Sequence, residues 1–494
     1  MSAETSRRGP GAEAAFRQKL RAKIVATALC AALLAWGVSA RALDFPDLLR
    51  DPLLAEPDGI ENARRLPGDD APVPCPPHVD LAQPLALGDA VDLSLCNNPQ
   101  LEKSWAEIKA QEGAVGQARA AYLPTLSGTV SYLDDRTAYP ESAIPNSTLD
   151  SHTVYGALSW RLFDFGGRDA NREAANRLLA AALAGHGAAM QKTLGDVVQG
   201  YFDAQTAGAT VKAKTQEEEL AQSTMESAER REARGLIGQN DRLQAATALA
   251  KATLEKNRAL GAYRKALSVL VYAMGVPAEA QITLPDEPEA GPAREGRDLG
   301  EWMDRAAKNH PAIAAARAQL EAARQRVAAA RSEGLPTIDF AGNYYQNGYP
   351  GQGLLAQKTR VFTLGVTLTI PLFDGFSTTY KIRGAQAQAG EREADLRDAE
   401  HRILTDVIKA HADAASALLN MESSEALLKA AGESLASSQR RYDKGAANIL
   451  EILNAQGALA DAWRERIRCL AEWRSARLRL LAAAGMLGRS GVNE

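Results

Sequence analysis

Strict alternation of apolar and polar positions marks four short segments of this chain, and an alanine-rich helical periodicity fills much of the rest. From Thr125 to Tyr132, Leu126, Gly128, Val130 and Tyr132 alternate with Ser127, Thr129 and Ser131. From Thr153 to Leu162, Val154, Gly156, Leu158 and Trp160 alternate with Tyr155, Ala157, Ser159 and Arg161. Further on, Phe362, Leu364, Val366, Leu368 and Ile370 alternate with Thr363, Gly365, Thr367 and Thr369. A period of two with one apolar and one polar face predicts strands at about 125–135, 152–163, 337–347 and 359–371. Each is about 10 residues long, enough to cross a bilayer when tilted.

The helical pattern is unusually long. No proline interrupts residues 167–234 or 378–444, and each run reaches about 100 Å at about 1.5 Å per residue. Globular helices average about 11–12 residues, so these read as coiled-coil elements. In the returning helix Leu260, Tyr263, Leu267, Leu270 and Met274 fall at alternating spacings of three and four, which predicts a coiled-coil seam.

The pattern is written twice. Asn98-Pro99 returns as His310-Pro311, Leu162-Phe163-Asp164 as Leu372-Phe373-Asp374, Arg231 as Arg441, Asp241 as Glu451 and Gly275 as Gly485, about 210 residues apart. The duplicated units are residues 85–276 and 299–487. A linker at 277–298 joins them, a proline-rich extension at 43–84 precedes them and a tail at 488–494 follows. Residues 1–42 have a basic start, an apolar stretch from Ile24 to Val38 and Ala40-Arg41-Ala42, the layout of a secretory signal peptide.

Export changes the reading of the cysteines. Cys75 and Cys96 lie close in sequence and form a candidate disulfide in an oxidising compartment, whereas Cys469 sits in a helical pattern as a packed side chain. The formal net charge of −4 gives no electrostatic footprint for nucleic acid. HExxH, CxxC, GxSxG and phosphate-loop motifs are absent, so the sequence predicts neither an enzyme nor a cofactor.

Four amphipathic strands pose a physical problem. In lipid every backbone amide needs a partner, and the smallest closed barrels have about eight strands, so the chain is expected to pool its strands with other copies. With polar faces inward, such a barrel encloses water, and the long helices extend its wall on one side of the membrane.

The order of elements and five segments resemble the TolC family of outer-membrane exit ducts: residues 87–101, 118–128, 162–168, 230–250 and 440–460. The resemblance implies a mainly α fold with a membrane β-barrel, in which a homotrimer builds a 12-stranded barrel and a periplasmic α-helical tunnel. It implies docking to a periplasmic adaptor, or membrane fusion protein, coupled to an inner-membrane ABC or RND-type pump. Outer-membrane lipid surrounds the barrel.

By the same resemblance the helix–turn–helix tips meet the adaptor through Arg231, Gly235 and Leu236 in the first copy and Arg441, Gly445 and Ala446 in the second. Glu451 and Asn454 match two positions that ring the periplasmic entrance, with Asp241 as a weaker candidate. Tyr442 matches a gate-bracing tyrosine, while Ala447 replaces that tyrosine's usual arginine partner. The function implied is passive export, either type I secretion of a polypeptide such as an RTX-type toxin or efflux of drugs, metals or other small molecules. A trimeric coiled-coil adhesin is the reading from another class. It would carry one terminal barrel segment, whereas here the strands lie mid-copy, twice.

Overall fold

The computed structural model describes residues 75, 83–138, 140, 146–285, 298–346 and 359–488. The first copy runs α1 (Leu87–Asn97), α2 (Pro99–Ala120), β1 (Thr125–Thr137), β2 (Ser147–Phe163), α3 (Gly167–Ala233) and α4 (Gln239–Met274). The second repeats that order as α5 (Leu299–Asn309), α6 (Pro311–Ser332), β3 (Thr337–Gln346), β4 (Arg360–Thr369), α7 (Ser377–Asp443) and α8 (Ile449–Ala483). The signal-peptide segment and the extension up to residue 74 lie outside the described residues.

Equivalent chemistry starts equivalent helices. Asn98 accepts the Gln100 amide at 2.9 Å with Pro99 behind it, and His310 Nδ1 accepts the Ala312 amide at 3.1 Å with Pro311 behind it. At the strand-to-helix junctions Asp164 accepts the Arg168 amide at 2.9 Å and Asp374 the Thr378 amide at 2.7 Å. Two consecutive residues with positive φ make each of these corners, Phe165-Gly166 and Gly375-Phe376.

The strands form one antiparallel sheet in the order β1-β2-β3-β4, leaving the outer edges of β1 and β4 unpaired within the chain. Its register aligns the alternation across all four strands. Val130 faces Val154, Leu126 faces Leu158, Trp160 faces Phe340 and Phe340 faces Val366. On the other face lie Ser131, Thr153, Tyr155, Asn343, Tyr345 and Thr363. The apolar face is open: Leu126 is 80% exposed and Phe362 69%.

The helix seams differ from the sequence expectation. Leu270 and Met274 are buried, but Leu260 and Tyr263 are only half-buried. The recurring buried positions are small residues seven apart: Ala245, Ala252 and Ala259 on α4, and Ala455, Ala462, Cys469 and Ala476 on α8. Ala417, Ser424, Ala431 and Ser438 do the same on α7. A helix turning back on itself through a tight loop brings two backbones close, and small side chains fit that spacing. Polar contacts fix the register. Lys256 and Thr253 bond Glu218 across α3 and α4, and Arg466 donates to the Met421 carbonyl at 2.7 Å across α7 and α8. The Lys256 and Thr253 bonds hold the Glu218 carboxyl below its ordinary pKa.

The main apolar core forms where both copies meet: Leu194, Val197, Val198, Leu270, Met274, Trp302, Val407, Leu481 and Leu487 pack together. Gln191 and the Leu487 backbone exchange two hydrogen bonds of 3.0 Å, tying the end of the second copy to α3. Tyr201 donates to the Leu85 carbonyl at 3.1 Å, and burial pushes its hydroxyl pKa up to about 12. Cys75 and Cys96 are bonded to each other, 21 residues apart.

Candidate conduit surface and periplasmic tips

The polar face of the sheet is a connected hydrogen-bonding surface. Tyr155 donates to Asn343 at 2.9 Å and stacks on Tyr345, whose hydroxyl lies 3.1 Å from Thr363. Arg161 pairs with Asp339 at 2.9 Å. Polar groups whose partners lie along one face suit a surface wetted by water, whereas the opposite, apolar face suits lipid.

Where the sheet meets the helices, a bulge in β2 between Arg161 and Phe163 interrupts the ladder. Arg168 serves the carbonyls there, donating to Arg161 at 2.6 Å and Leu162 at 3.2 Å, while its Nε reaches Asp164 at 3.1 Å. Its guanidinium lies 4.8 Å from the centre of the Tyr122 ring. Exposed aromatic residues cluster at this level: Phe163 against Phe165, Phe373 against Phe376, and Tyr380 on the next turn. Girdles of aromatic side chains flank the apolar band of membrane β-barrels at the water boundary.

At the other end of the long helices each tip closes through the same motif. The Leu236 amide donates to the Arg231 carbonyl at 2.9 Å and the Gly235 amide to Glu232 at 2.8 Å; Ala446 donates to Arg441 and Gly445 to Tyr442 at 2.8 and 3.0 Å. Both glycines sit at φ 71°, which a side chain would strain, so glycine is required twice. Asn448 accepts the Glu451 amide at 2.9 Å and starts α8.

The tip arginines are engaged within the chain. Arg231 reaches from the first tip to the second, donating to the Tyr442 carbonyl at 3.1 Å, lying 4.1 Å from its ring centre and 3.6 Å from Asp443. Arg441 stays in its own tip, donating to Glu451 at 2.7 Å and to the Ala446 carbonyl at 3.3 Å. The Glu451 carboxylate therefore carries a counter-charge, whereas Asp241 has no ion pair among the described residues. Asn454 is exposed on the same helix. Tyr442 is buried with Ile449 and Ile452, and its hydroxyl has no hydrogen-bond partner among the described residues.

Two tip residues escaped the sequence reading. Arg234 and Lys444 hold equivalent places immediately before the tip glycines, both exposed and without an ion pair among the described residues. The duplication could have drawn attention to them, since a cation stands at the same place in both copies.

A family model described as outer membrane efflux protein matches residues 90–276 and 302–486. The protein CyaE of Bordetella pertussis is 36% identical over 441 residues, 88% of this chain and 92% of that protein. The alkaline protease secretion protein AprF of Pseudomonas aeruginosa is 23% identical over 422 residues, 83% of this chain and 86% of that protein. The crystal structure of the outer membrane protein VceC of Vibrio cholerae superimposes with a TM-score of 0.71 at 22% identity, covering 81% of this chain and 96% of that one.

Proposed function

The chain belongs to the outer membrane efflux protein family, and we propose that it is the exit duct of a tripartite export system whose cargo is a secreted polypeptide. It resides in the outer membrane of a Gram-negative bacterium, with a large periplasmic helical part. Members of the family are the outer-membrane components of systems that join a periplasmic adaptor and an inner-membrane pump.

One observation carries the reading: a two-faced, four-stranded sheet with both edges unpaired leads directly into two helices of 67 residues. Unpaired strand edges are costly in lipid, and four strands cannot close on themselves. Three copies pooling their strands remove the edges, place Tyr155, Asn343 and Tyr345 on a water-filled interior and turn Phe362 and Leu364 to lipid. The copies act without chemistry of their own; the inner-membrane pump, of ABC or RND type, supplies the energy. The signal segment at 1–42 directs the chain out of the cytoplasm, and the duplicated units at 85–276 and 299–487 form the working body.

Polypeptide cargo, of the RTX-toxin type, is the reading we carry forward, in keeping with the protease-secretion role named for AprF. Planar-bilayer recording tests the duct itself. Purified protein should insert as discrete, long-lived conducting units, and its mass in detergent should be that of three chains. A monomeric, non-conducting protein would refute the reading.

A further inference from the structure

The polar face of the sheet is built from short side chains with one interruption. The antiparallel register sets its residues in rows: Ser127, Ala157, Asn343 and Thr363 make one, and Ala341 and Gly365 belong to the next toward the helices. In the row on the other side stand Tyr155 and Tyr345, opposite each other on the two central strands. They are the aromatic side chains of this face among the described residues, and they stack with 6.0 Å between ring centres and 9° between ring planes. Each is tethered to the neighbouring row, Tyr155 donating to Asn343 Oδ1 at 2.9 Å and the Tyr345 hydroxyl lying 3.1 Å from Thr363 Oγ1. A ring fixed at its Cβ and at its hydroxyl keeps its place, so these two side chains narrow a lumen otherwise lined by serine, threonine, alanine and glycine. Contact with lipid does not call for them, because the lipid side is the opposite face, where Tyr344 and Phe362 pair.

We propose that Tyr155 and Tyr345 form a collar inside the barrel, two rings per chain and six in a barrel of three chains, on which an extended polypeptide is contacted as it leaves. This rests on the exit-duct reading and names the surface that touches the cargo. Tyrosine presents a large, rigid, amphipathic surface at low conformational-entropy cost. It therefore meets the successive apolar and polar side chains of a moving polypeptide without selecting one sequence. The rings are uncharged, so their hold is weak: one aromatic contact changes a residence time roughly two- to ten-fold. A hold of that size lets the chain advance, whereas the short side chains in the rows on either side offer it little surface. The charged pair Arg161–Asp339 lies nearer the helices and is closed on itself at 2.9 Å. The collar is thus the place on this face where an apolar side chain of the cargo finds an aromatic partner.

The test uses the purified full-length duct in planar bilayers. Two unfolded peptides serve as probes, a Gly-Ser repeat and the same repeat carrying leucine and tyrosine at intervals, both added on the barrel side. Single-channel conductance and the duration of current blocks are read. In the wild type the apolar probe should block for longer than the Gly-Ser probe. The Tyr155→Ala, Tyr345→Ala double variant should conduct more, and its apolar-probe blocks should shorten roughly two- to ten-fold while Gly-Ser blocks stay the same. Tyr155→Phe, Tyr345→Phe keeps the rings and should keep most of the block duration. The control Tyr344→Ala, next to Tyr345 in sequence but on the lipid face, should change neither quantity. Should the double alanine variant fail to assemble, each single alanine variant reads the same two quantities with a smaller effect. Alanine variants with wild-type conductance and wild-type block durations would overturn the proposal while leaving the duct reading standing. Equal effects from Tyr344→Ala, or equal block durations for the two probes in the wild type, would do the same. A wild-type protein that forms no channel would instead refute the duct reading and the proposal with it.

Discussion

Four glycines with nearly identical backbone angles separate two physical costs that are usually confounded. Gly235 and Gly445 at the tips and Gly275 and Gly485 at the ends of the returning helices have φ between 69° and 71°. An alanine at any of them meets the left-handed penalty, about 1–2 kcal/mol. Around Gly235 and Gly445 nothing lies within 4 Å of an added Cβ, so that penalty is the whole cost. At Gly275 the added carbon would lie 2.4 Å from the Asn97 carbonyl oxygen and 2.9 Å from the Asn98 Cα, all backbone at the junction of α1 and α2. Overpacking of this kind adds about 1–3 kcal/mol, giving about 2–5 kcal/mol in total. Gly485 is intermediate, because its Cβ would meet the His310 and Pro311 rings at 2.8 Å rather than carbonyl backbone. Urea unfolding of the detergent-solubilised protein, followed by helical circular dichroism, should therefore rank the midpoints Gly235→Ala above Gly485→Ala above Gly275→Ala. Equal losses at Gly235 and Gly275 would show that the Asn97 contact costs nothing and refute the packing argument.

Three further outcomes follow from the same geometry. His310 is buried, and desolvation lowers its pKa, with Asp406 only partly opposing; its Nδ1 must stay unprotonated to accept the Ala312 amide. The folded form therefore refuses a proton that the unfolded chain takes up below about pH 6.5, so stability is full above that value and falls as pH drops. His310→Asn, which copies Asn98, should flatten the unfolding midpoint between pH 7.5 and 5. Ala252→Leu and Ala462→Leu should each cost about 1–3 kcal/mol by forcing the paired helices apart, while Cys469→Ala should cost under about 1.5 kcal/mol in the same urea assay. Reducing the Cys75–Cys96 bond, which closes a loop with a separation of 21 residues, should lower stability by about 3 kcal/mol. A Cys75→Ser, Cys96→Ser variant should then be insensitive to reductant.

The strands and long helices were readable because their periodicity fixes which side chains share a face. Once Leu126 and Val130 are placed on one face, the register with Val154 and Leu158 follows, and a slip by one residue would turn every side chain over. Duplication supplied the rest, since each strand-to-helix corner appears twice with two positive φ angles and each tip appears twice with its glycine at φ 71°. The seam was only half legible, with Leu270 and Met274 buried as expected, because large apolar residues dominate a sequence pattern whereas Ala245, Ala252 and Ala259 read only as good helix formers. Their seven-residue spacing was the overlooked signal. The tip contacts were not legible at all: Arg231 meets Tyr442 across 211 residues of sequence, and nothing local distinguishes it from its counterpart Arg441, which turns back to Glu451. A resemblance could place these residues at the tips but not say which guanidinium is occupied and which apex cation is left exposed.

The claim that this duct carries a polypeptide is tested most directly by deleting its gene and comparing the culture-supernatant proteome with that of the parent. Susceptibility to dyes, detergents, antibiotics and metals is measured alongside. The account predicts the loss of one large secreted protein, restored by the wild-type gene, with susceptibility unchanged. An intact secretome with hypersensitivity to small toxic compounds would contradict it and make the chain an efflux duct.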